Sequence, residues 1–278
     1  EDGKCQMLVD NSGRSNYIFW NQNDSSSNSI AVQLKDVSLV NMEYTYVDYS
    51  KSIGIHFLIE EAQLNGNFKE EIFDLDLKTT LKRANIQVGE TTVLEDRTLF
   101  LKVEGNVDQT AEQLNFVSSN IGIDGMNLNL NGNLNYSENT RVDVTLNSEN
   151  ADLKKAIALL PVTIRSNLNR FEISGNSRLA GSINGTISSI NTPFYDFDFS
   201  IENGRFNDKE SPVQFKNTSL SGKISNGAER SLSTTSLELE SFETTTAEGS
   251  ITGKLNISNF KKPVYEYVGK VNFDLHET

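Results

Sequence analysis

Apolar and polar residues alternate along most of this chain, with almost no helical pattern to interrupt them. The plainest run is Leu128-Asn129-Leu130-Asn131-Gly132-Asn133-Leu134-Asn135-Tyr136, and Phe197-Asp198-Phe199-Ser200-Ile201, Leu237-Glu238-Leu239 and Val271-Asn272-Phe273-Asp274-Leu275 repeat it. Side chains on a strand point alternately to opposite faces, so the pattern gives each strand one oily face and one wet face. The chain is therefore expected to be mainly β, with a large apolar area on one side of one sheet. A packed core or a bound apolar ligand would each satisfy that area.

Strands are expected near Ile30–Leu34, Val37–Tyr46, Ser52–Leu64, Glu71–Ala84, Thr98–Val107, Gln113–Ile121, Met126–Tyr136 and Val142–Ser148, after a turn at Asn11–Ser15 and a short strand at Tyr17–Trp20. A second series follows at Arg170–Ser174, Ser177–Ser188, Asp196–Glu202, Val213–Lys223, Ser231–Ser241, Ala247–Ile257 and Val264–Leu275. Gly66, Gly105, Gly132, Gly175, Gly185, Gly222 and Gly253 read as turns or bulges. Between the two series, Asn150–Leu160 carries an N-cap candidate, strong helix formers and apolar residues at 153, 156, 157 and 160, and Pro161 ends it. It reads as a short amphipathic helix covering a sheet edge, with a second helical stretch over 162–169. The expected organisation is a β portion over 1–150, a helical cover over 151–169, and a β portion over 170–278 continuous with the first.

Several functional classes fall away on composition. With 25 basic and 38 acidic residues the net charge is −13, which repels a nucleic-acid backbone or an anionic membrane surface. Cys5 is the single cysteine, so no internal disulfide forms, and the two histidines, His56 and His276, leave little for a zinc site or a catalytic triad. No cofactor or metal is expected. His56, in Ile55-His56-Phe57, reads as a strand histidine. The acid pairs Asp74/Asp76, Asp196/Asp198 and Glu238/Glu240 share a face by the parity rule, opposite the apolar set, and are expected in water rather than in a glycosidase site. Asn-x-Ser/Thr triplets at Asn135, Asn184, Asn217 and Asn256 read as outward strand and turn positions. No phosphate-binding loop, nucleophile elbow or His-Glu-x-x-His motif is present, so no enzyme activity is expected.

A set of short stretches carries a resemblance. They are Asn16–Trp20; Val32–Asn41 followed by Tyr44 and Tyr46; Leu128–Tyr136; and Ala151–Pro161, ending Leu159-Leu160-Pro161. Ser182-Ile183-Asn184-Gly185 before Pro193, Phe215–Gly222, and Gly249–Phe260 with Pro263 complete the set. In this order and spacing the chain resembles the AsmA family of Gram-negative envelope proteins, in the form common in Bacteroidetes, related to TamB and the bridge-like lipid transfer proteins. The resemblance implies a long curled antiparallel sheet built of β-groove units, taco-like in section, in a periplasmic body anchored to the inner membrane. It further implies a role in moving phospholipid, or another acyl-chain lipid, toward the outer membrane during its biogenesis. The family's N-terminal membrane helix is missing, so the chain would be an excised periplasmic portion. The family offers no catalytic residues.

On that resemblance, acyl chains would lie against Leu128, Leu130, Leu134, Val142, Val144, Leu146, Phe197, Phe199, Ile201, Leu237, Leu239, Ile251, Leu255 and Ile257, chosen by strand parity. Two rivals remain on the residues alone. One is an adhesin or glycan-binding β-module with a dry core, using Trp20, Tyr44, Tyr46 and Tyr49; the other is a glycosidase built on the acid pairs.

Overall fold

The computed structural model describes residues 1–17, 36–68, 70–89, 91–137, 139–158, 171–188, 190–210 and 214–273. Among these residues, fourteen strands follow one another in a single open sheet whose spatial order is the order of the sequence. They are β1 (Gly3–Val9), β2 (Asp36–Asp48), β3 (Ile53–Gly66), β4 (Ile72–Val88), β5 (Thr91–Asp108), β6 (Gln113–Ile123), β7 (Met126–Asn135) and β8 (Arg141–Asp152). After one helix, α1 (Leu153–Ala158), come β9 (Phe171–Thr186), β10 (Phe194–Asp208), β11 (Gln214–Ser225), β12 (Ser236–Thr245), β13 (Gly249–Ser258) and β14 (Val264–Phe273). Strand order equal to chain order lets antiparallel neighbours be joined by short turns. One such turn is Asp124-Gly125, where both residues have positive φ (50° and 80°) and the Asp124 carboxylate takes the Thr98 N–H and the Arg97 guanidinium.

The expected mainly β architecture is present, with several differences in detail. β1 was not anticipated, and it pairs parallel to β2, from Gly3↔Met42 to Val9↔Asp48, so the sheet is not antiparallel throughout. The two expected strands at 170–174 and 177–188 are one, because Gly175 lies within the β9 ladder instead of at a turn. β12 starts at Ser236; the residues before it form a hydroxyl-rich turn in which Thr235 Oγ1 donates to Ser231 O at 2.8 Å. The expected helix begins late. β8 runs on to Asp152, whose carboxylate accepts the Lys155 N–H at 3.1 Å as an N-cap for α1. The strand expected at 30–34, most of that at 17–20, and the helical stretch at 162–169 lie outside the described residues.

The chain divides into two compact units, one of residues 1–125, 129–144 and 185–192, the other of residues 126–128, 145–184 and 193–278. In the first unit, register stacks the apolar residues of β2–β6 in rows across the strands. Met42, Ile59, Leu81, Leu99 and Ile123 form one, and Leu39, Ala62, Thr79, Leu101 and Ile121 the next. Ile59, Ala62, Leu81, Ala84 and Leu99 form its buried cluster, with Met42, Phe57 and Leu94 packed against them. Thr79 is buried in the second of these rows, where its hydroxyl donates to Glu61 O at 2.9 Å. β-bulges keep the rows in phase. Arg83, with φ 52°, absorbs an extra residue of β4 between the pairs Leu81↔Leu99 and Ala84↔Arg97.

In the second unit, bulges at Asn203 (φ 56°) and Asn217 (φ 52°) play the same part in β10 and β11. Glycines shape this unit. A Cβ on Gly181 would lie 2.2 Å from Asp196 O, and one on Gly222 would lie 2.2 Å from Glu238 O. Only a residue without a side chain permits such close approach of neighbouring strands. An aromatic ring from β10 fills each gap: Phe197 Cδ1 lies 2.4 Å from the Cβ position of Gly181, and Phe199 Cζ 2.8 Å from that of Gly222. Aromatic side chains laid over cross-strand glycines restore the packing that the glycines remove. Leu153 of α1 is buried in the same unit, with its Cδ2 beside Gly175. Among the described residues, no helix is long and apolar enough to cross a membrane.

Candidate functional site

The apolar face of the second unit is the candidate site, and register defines it. Phe197 pairs with Gly181 and Ile224, Ile224 with Leu237, Leu237 with Ile257, and Ile257 with Tyr265, which makes one row across β9–β14. The adjacent row runs Leu179, Phe199, Gly222, Leu239, Leu255 and Tyr267. A third contains Ile201, Leu220, Phe242 and Gly253. Ile251 pairs with Thr244 and Val271 beyond it. The eight residues from β10, β12 and β13 singled out by parity therefore share one face, and every bulge between them has been crossed without loss of phase. On β7 and β8, Leu128 and Val144 are buried, and Leu130, Leu134, Val142 and Leu146 are half-buried.

Burial along the rows is uneven. Ile201 and Leu237 keep under a tenth of their surface, whereas Phe197, Phe199, Leu239, Ile251, Leu255 and Ile257 are half-buried. Tyr265, Tyr267, Val271 and Phe273, on β14, are more than half exposed. Ile224, Leu220, Leu179, Phe242, Tyr265 and Tyr267 belong to these rows although parity reading did not select them. The signal was available, since Leu220-x-Gly222-x-Ile224 and Tyr265-x-Tyr267 carry the same two-residue period in strands already recognised.

The opposite face is polar and ion-paired. Lys223 Nζ lies 3.2 Å from Asp198, Arg178 Nε 3.1 Å from Glu149, and in the first unit Lys102 meets Glu104 at 2.7 Å and Lys82 meets Glu60. The hydrogen bond and charge of Asp198 raise the Lys223 pKa, and those of Lys102 lower the Glu104 pKa. Pairs this exposed are screened by water and act mainly to keep the face wet. The acid pairs of β4 and β10 lie on this side: Asp74 accepts from Asn106 at 3.4 Å, and Asp198 is held by Lys223. His56 Nδ1 lies 3.1 Å from Thr45 Oγ1, also on the polar face. No group of three metal-ligating side chains converges among the described residues.

Two concavities open on the described surface. One of about 420 Å³ in the first unit is lined by Asp74, Asp76, Glu104, Leu75 and Val117 around Gly66 and Gly105, and one of about 260 Å³ in the second by Glu149, Asn176, Arg178 and Glu202. Neither is lined by the apolar rows of the second unit.

The aromatic residues named for glycan binding do not form one exposed platform. Tyr44 stacks on Phe57 at 4.9 Å on the apolar face of the first unit, Tyr46 donates to Asp48, Tyr49 is exposed, and Trp20 lies outside the described residues. Burial, with the Asp48 carboxylate next, pushes the Tyr46 pKa up to about 12. Burial also pushes Asp48 upward, but hydrogen bonds from Ser50 Oγ (2.6 Å) and Lys51 N (2.9 Å) outweigh it and leave its pKa below the usual value.

These features define a class: an open, sequentially wound β-sheet with one apolar and one ion-paired face. Comparison with protein-family models, with curated proteins and with solved structures gave no match.

Proposed function

We propose that the apolar rows hold the hydrocarbon tails of a lipid, as the likeness to AsmA-type envelope proteins implies, and that the chain contributes to phospholipid movement toward an outer membrane from a periplasmic position. The observation that carries the reading is the half-buried state of Phe199, Leu239, Leu255 and Ile257, side by side on one face of an open sheet. Aliphatic surface held in this way, in contiguous rows, favours an apolar occupant. Strands lie about 4.8 Å apart, so a row over five of them spans about 19 Å, more than the roughly 15 Å taken up by the tails of one leaflet of a 30 Å hydrocarbon core. Each methylene buried contributes about 0.8 kcal/mol, so a two-chain lipid is retained, while a shift along a row exchanges one set of weak contacts for an equivalent one.

Headgroups would stay in water at the margin of the face. The acidic balance of the chain opposes tight adhesion to an anionic bilayer, which suits a carrier that must release its cargo.

The test is native mass spectrometry of the gently purified chain with and without Leu239→Asp or Leu255→Asp. Co-purified phospholipid that falls at least severalfold in either variant, with an unchanged far-ultraviolet spectrum, supports the reading. A lipid-free protein that also fails to take up a fluorescent phospholipid from neutral vesicles overturns it.

A further inference from the structure

The two outer strands of the sheet are finished differently. β1 is held by the chain's own return: Asn16 N donates to Leu8 O at 3.0 Å, Leu8 N to Asn16 Oδ1 at 2.8 Å and Asn16 Nδ2 to Gln6 O at 3.2 Å, while Val9 bridges Ser15. β14 has no such cover among the described residues; all ten of its residues are exposed. Its ladder with β13 runs through ten consecutive pairs without a bulge, whereas the β9/β10, β10/β11, β11/β12 and β12/β13 ladders all carry register shifts. A regular outer strand leaves a row of unpaired N–H and C=O groups, the template that sheet proteins ordinarily block with bulges, prolines or charges. β14 is also apolar on both sides. Tyr265, Tyr267, Val271 and Phe273 continue the apolar face, and Val264 and Val268 lie on the other, each more than half exposed.

The charges on β14 say what fits it. The strand carries only two, Glu266 and Lys270, placed symmetrically about Val268. We propose that β14 is a homodimerisation edge, pairing antiparallel with β14 of a second copy about a two-fold axis through Val268. In that register Glu266 faces the partner's Lys270, and the symmetry makes the ion pair twice. Tyr265 falls opposite the partner's Val271, and Tyr267 opposite the partner's Gly269. Moving the axis to Tyr267 would set Glu266 against the partner's Val268, and moving it to Gly269 would set it against the partner's Asn272; both lose the charge match. A two-fold axis normal to the sheet keeps faces on their own side, so the apolar rows ending at Tyr265 and Tyr267 would run on into the second copy. The dimer does not depend on the lipid reading.

The experiment is sedimentation of the chain over a wide concentration range, alone and with charge reversals. A dimer is expected for the chain as it stands. Glu266→Lys alone and Lys270→Glu alone each turn two attractive cross-strand pairs repulsive and should weaken the dimer by roughly 10- to 30-fold. The two single variants mixed in equal amounts should form a heterodimer, and Glu266→Lys with Lys270→Glu in one chain should restore the homodimer. Both sites are exposed, and circular dichroism checks that the variants keep their fold. A chain that stays monomeric up to its solubility limit overturns the proposal, and so does a dimer indifferent to either single reversal.

Discussion

In the first unit, Ile59, Ala62, Leu81, Ala84 and Leu99 keep no more than a tenth of their surface, whereas in the second Phe199, Leu239, Leu255 and Ile257 stay half-buried although they occupy the same kind of row. Both faces belong to antiparallel ladders with apolar residues at every second position, so alternation is not the cause of the difference. Composition of the rows is. The first unit sets branched aliphatic side chains next to one another on β3, β4 and β5, and they bury each other. The second interrupts its rows with Gly181 and Gly222, and the rings of Phe197 and Phe199 are spent on covering them. A face that fills itself is a core, and one that is left partly open can accept something else.

A buried charge breaks the comparison most strongly. Leu99→Asp places a carboxylate in the packed cluster, with no partner, and should cost at least about 3–5 kcal/mol, enough to unfold the first unit. Leu255→Asp, in a half-buried row position, should cost about 1–2 kcal/mol and leave a cooperative transition. Urea denaturation followed by circular dichroism measures both. Equal losses would mean that the second face is packed as tightly as the first, and the argument for an open face would go with it.

A smaller effect separates two glycines of similar appearance in sequence. Gly222→Ala puts a Cβ 2.2 Å from Glu238 O and 2.8 Å from Phe199 Cζ, so backbone must move, and a loss of about 2–3 kcal/mol is expected. Gly54→Ala, on β3, meets nothing nearer than Gln87 Cβ at 4.0 Å; it should be neutral or gain up to about 1 kcal/mol from a stiffer unfolded chain. If both substitutions are tolerated, the close strand approach at Gly222 is not what shapes the second unit.

Much of this was legible from residue order. Alternation such as Leu237-Glu238-Leu239 located the strands because a half-buried sheet imposes that period. The same parity put Asp198 and Glu238 on the wet face. What failed had local reasons. β1 was missed because Cys5, Met7 and Val9 alternate over too few residues to stand out, and its parallel pairing depends on contact with a strand far along the chain. Gly175 read as a break between two strands, yet it lies inside the β9 ladder, since a glycine that ends a strand and one that lets two strands approach look alike in sequence; Gly222, read as a turn or bulge, does stand at a register shift between Ser221↔Ser241 and Gly222↔Leu239. The uneven burial of the two faces was not legible at all: it follows from which residues meet across strands, and so from register.

The smallest expected effect concerns pH and confines itself to the first unit. Tyr46 is held neutral, with its pKa raised from 10.0 to about 12 by burial and by the neighbouring Asp48 carboxylate. A raised folded pKa means that its contribution to stability is complete below pH 10 and is lost as pH climbs from 10 to about 12. Asp48 works in the opposite direction: its lowered pKa contributes at neutral pH, and that contribution drains away as pH falls below its unfolded value of 3.8. Tyr46→Phe should therefore flatten the alkaline limb of the first unit's stability profile and, because the Tyr46 hydroxyl is one of the donors that hold the Asp48 pKa down, reduce the acid limb slightly, while the second unit's alkaline limb should not respond. Urea midpoints measured between pH 7 and pH 12, read from a probe in each unit, distinguish the outcomes. An alkaline limb unchanged by Tyr46→Phe would show that the tyrosine titrates as it would in the unfolded chain and that the Tyr46–Asp48 contact does not hold in solution.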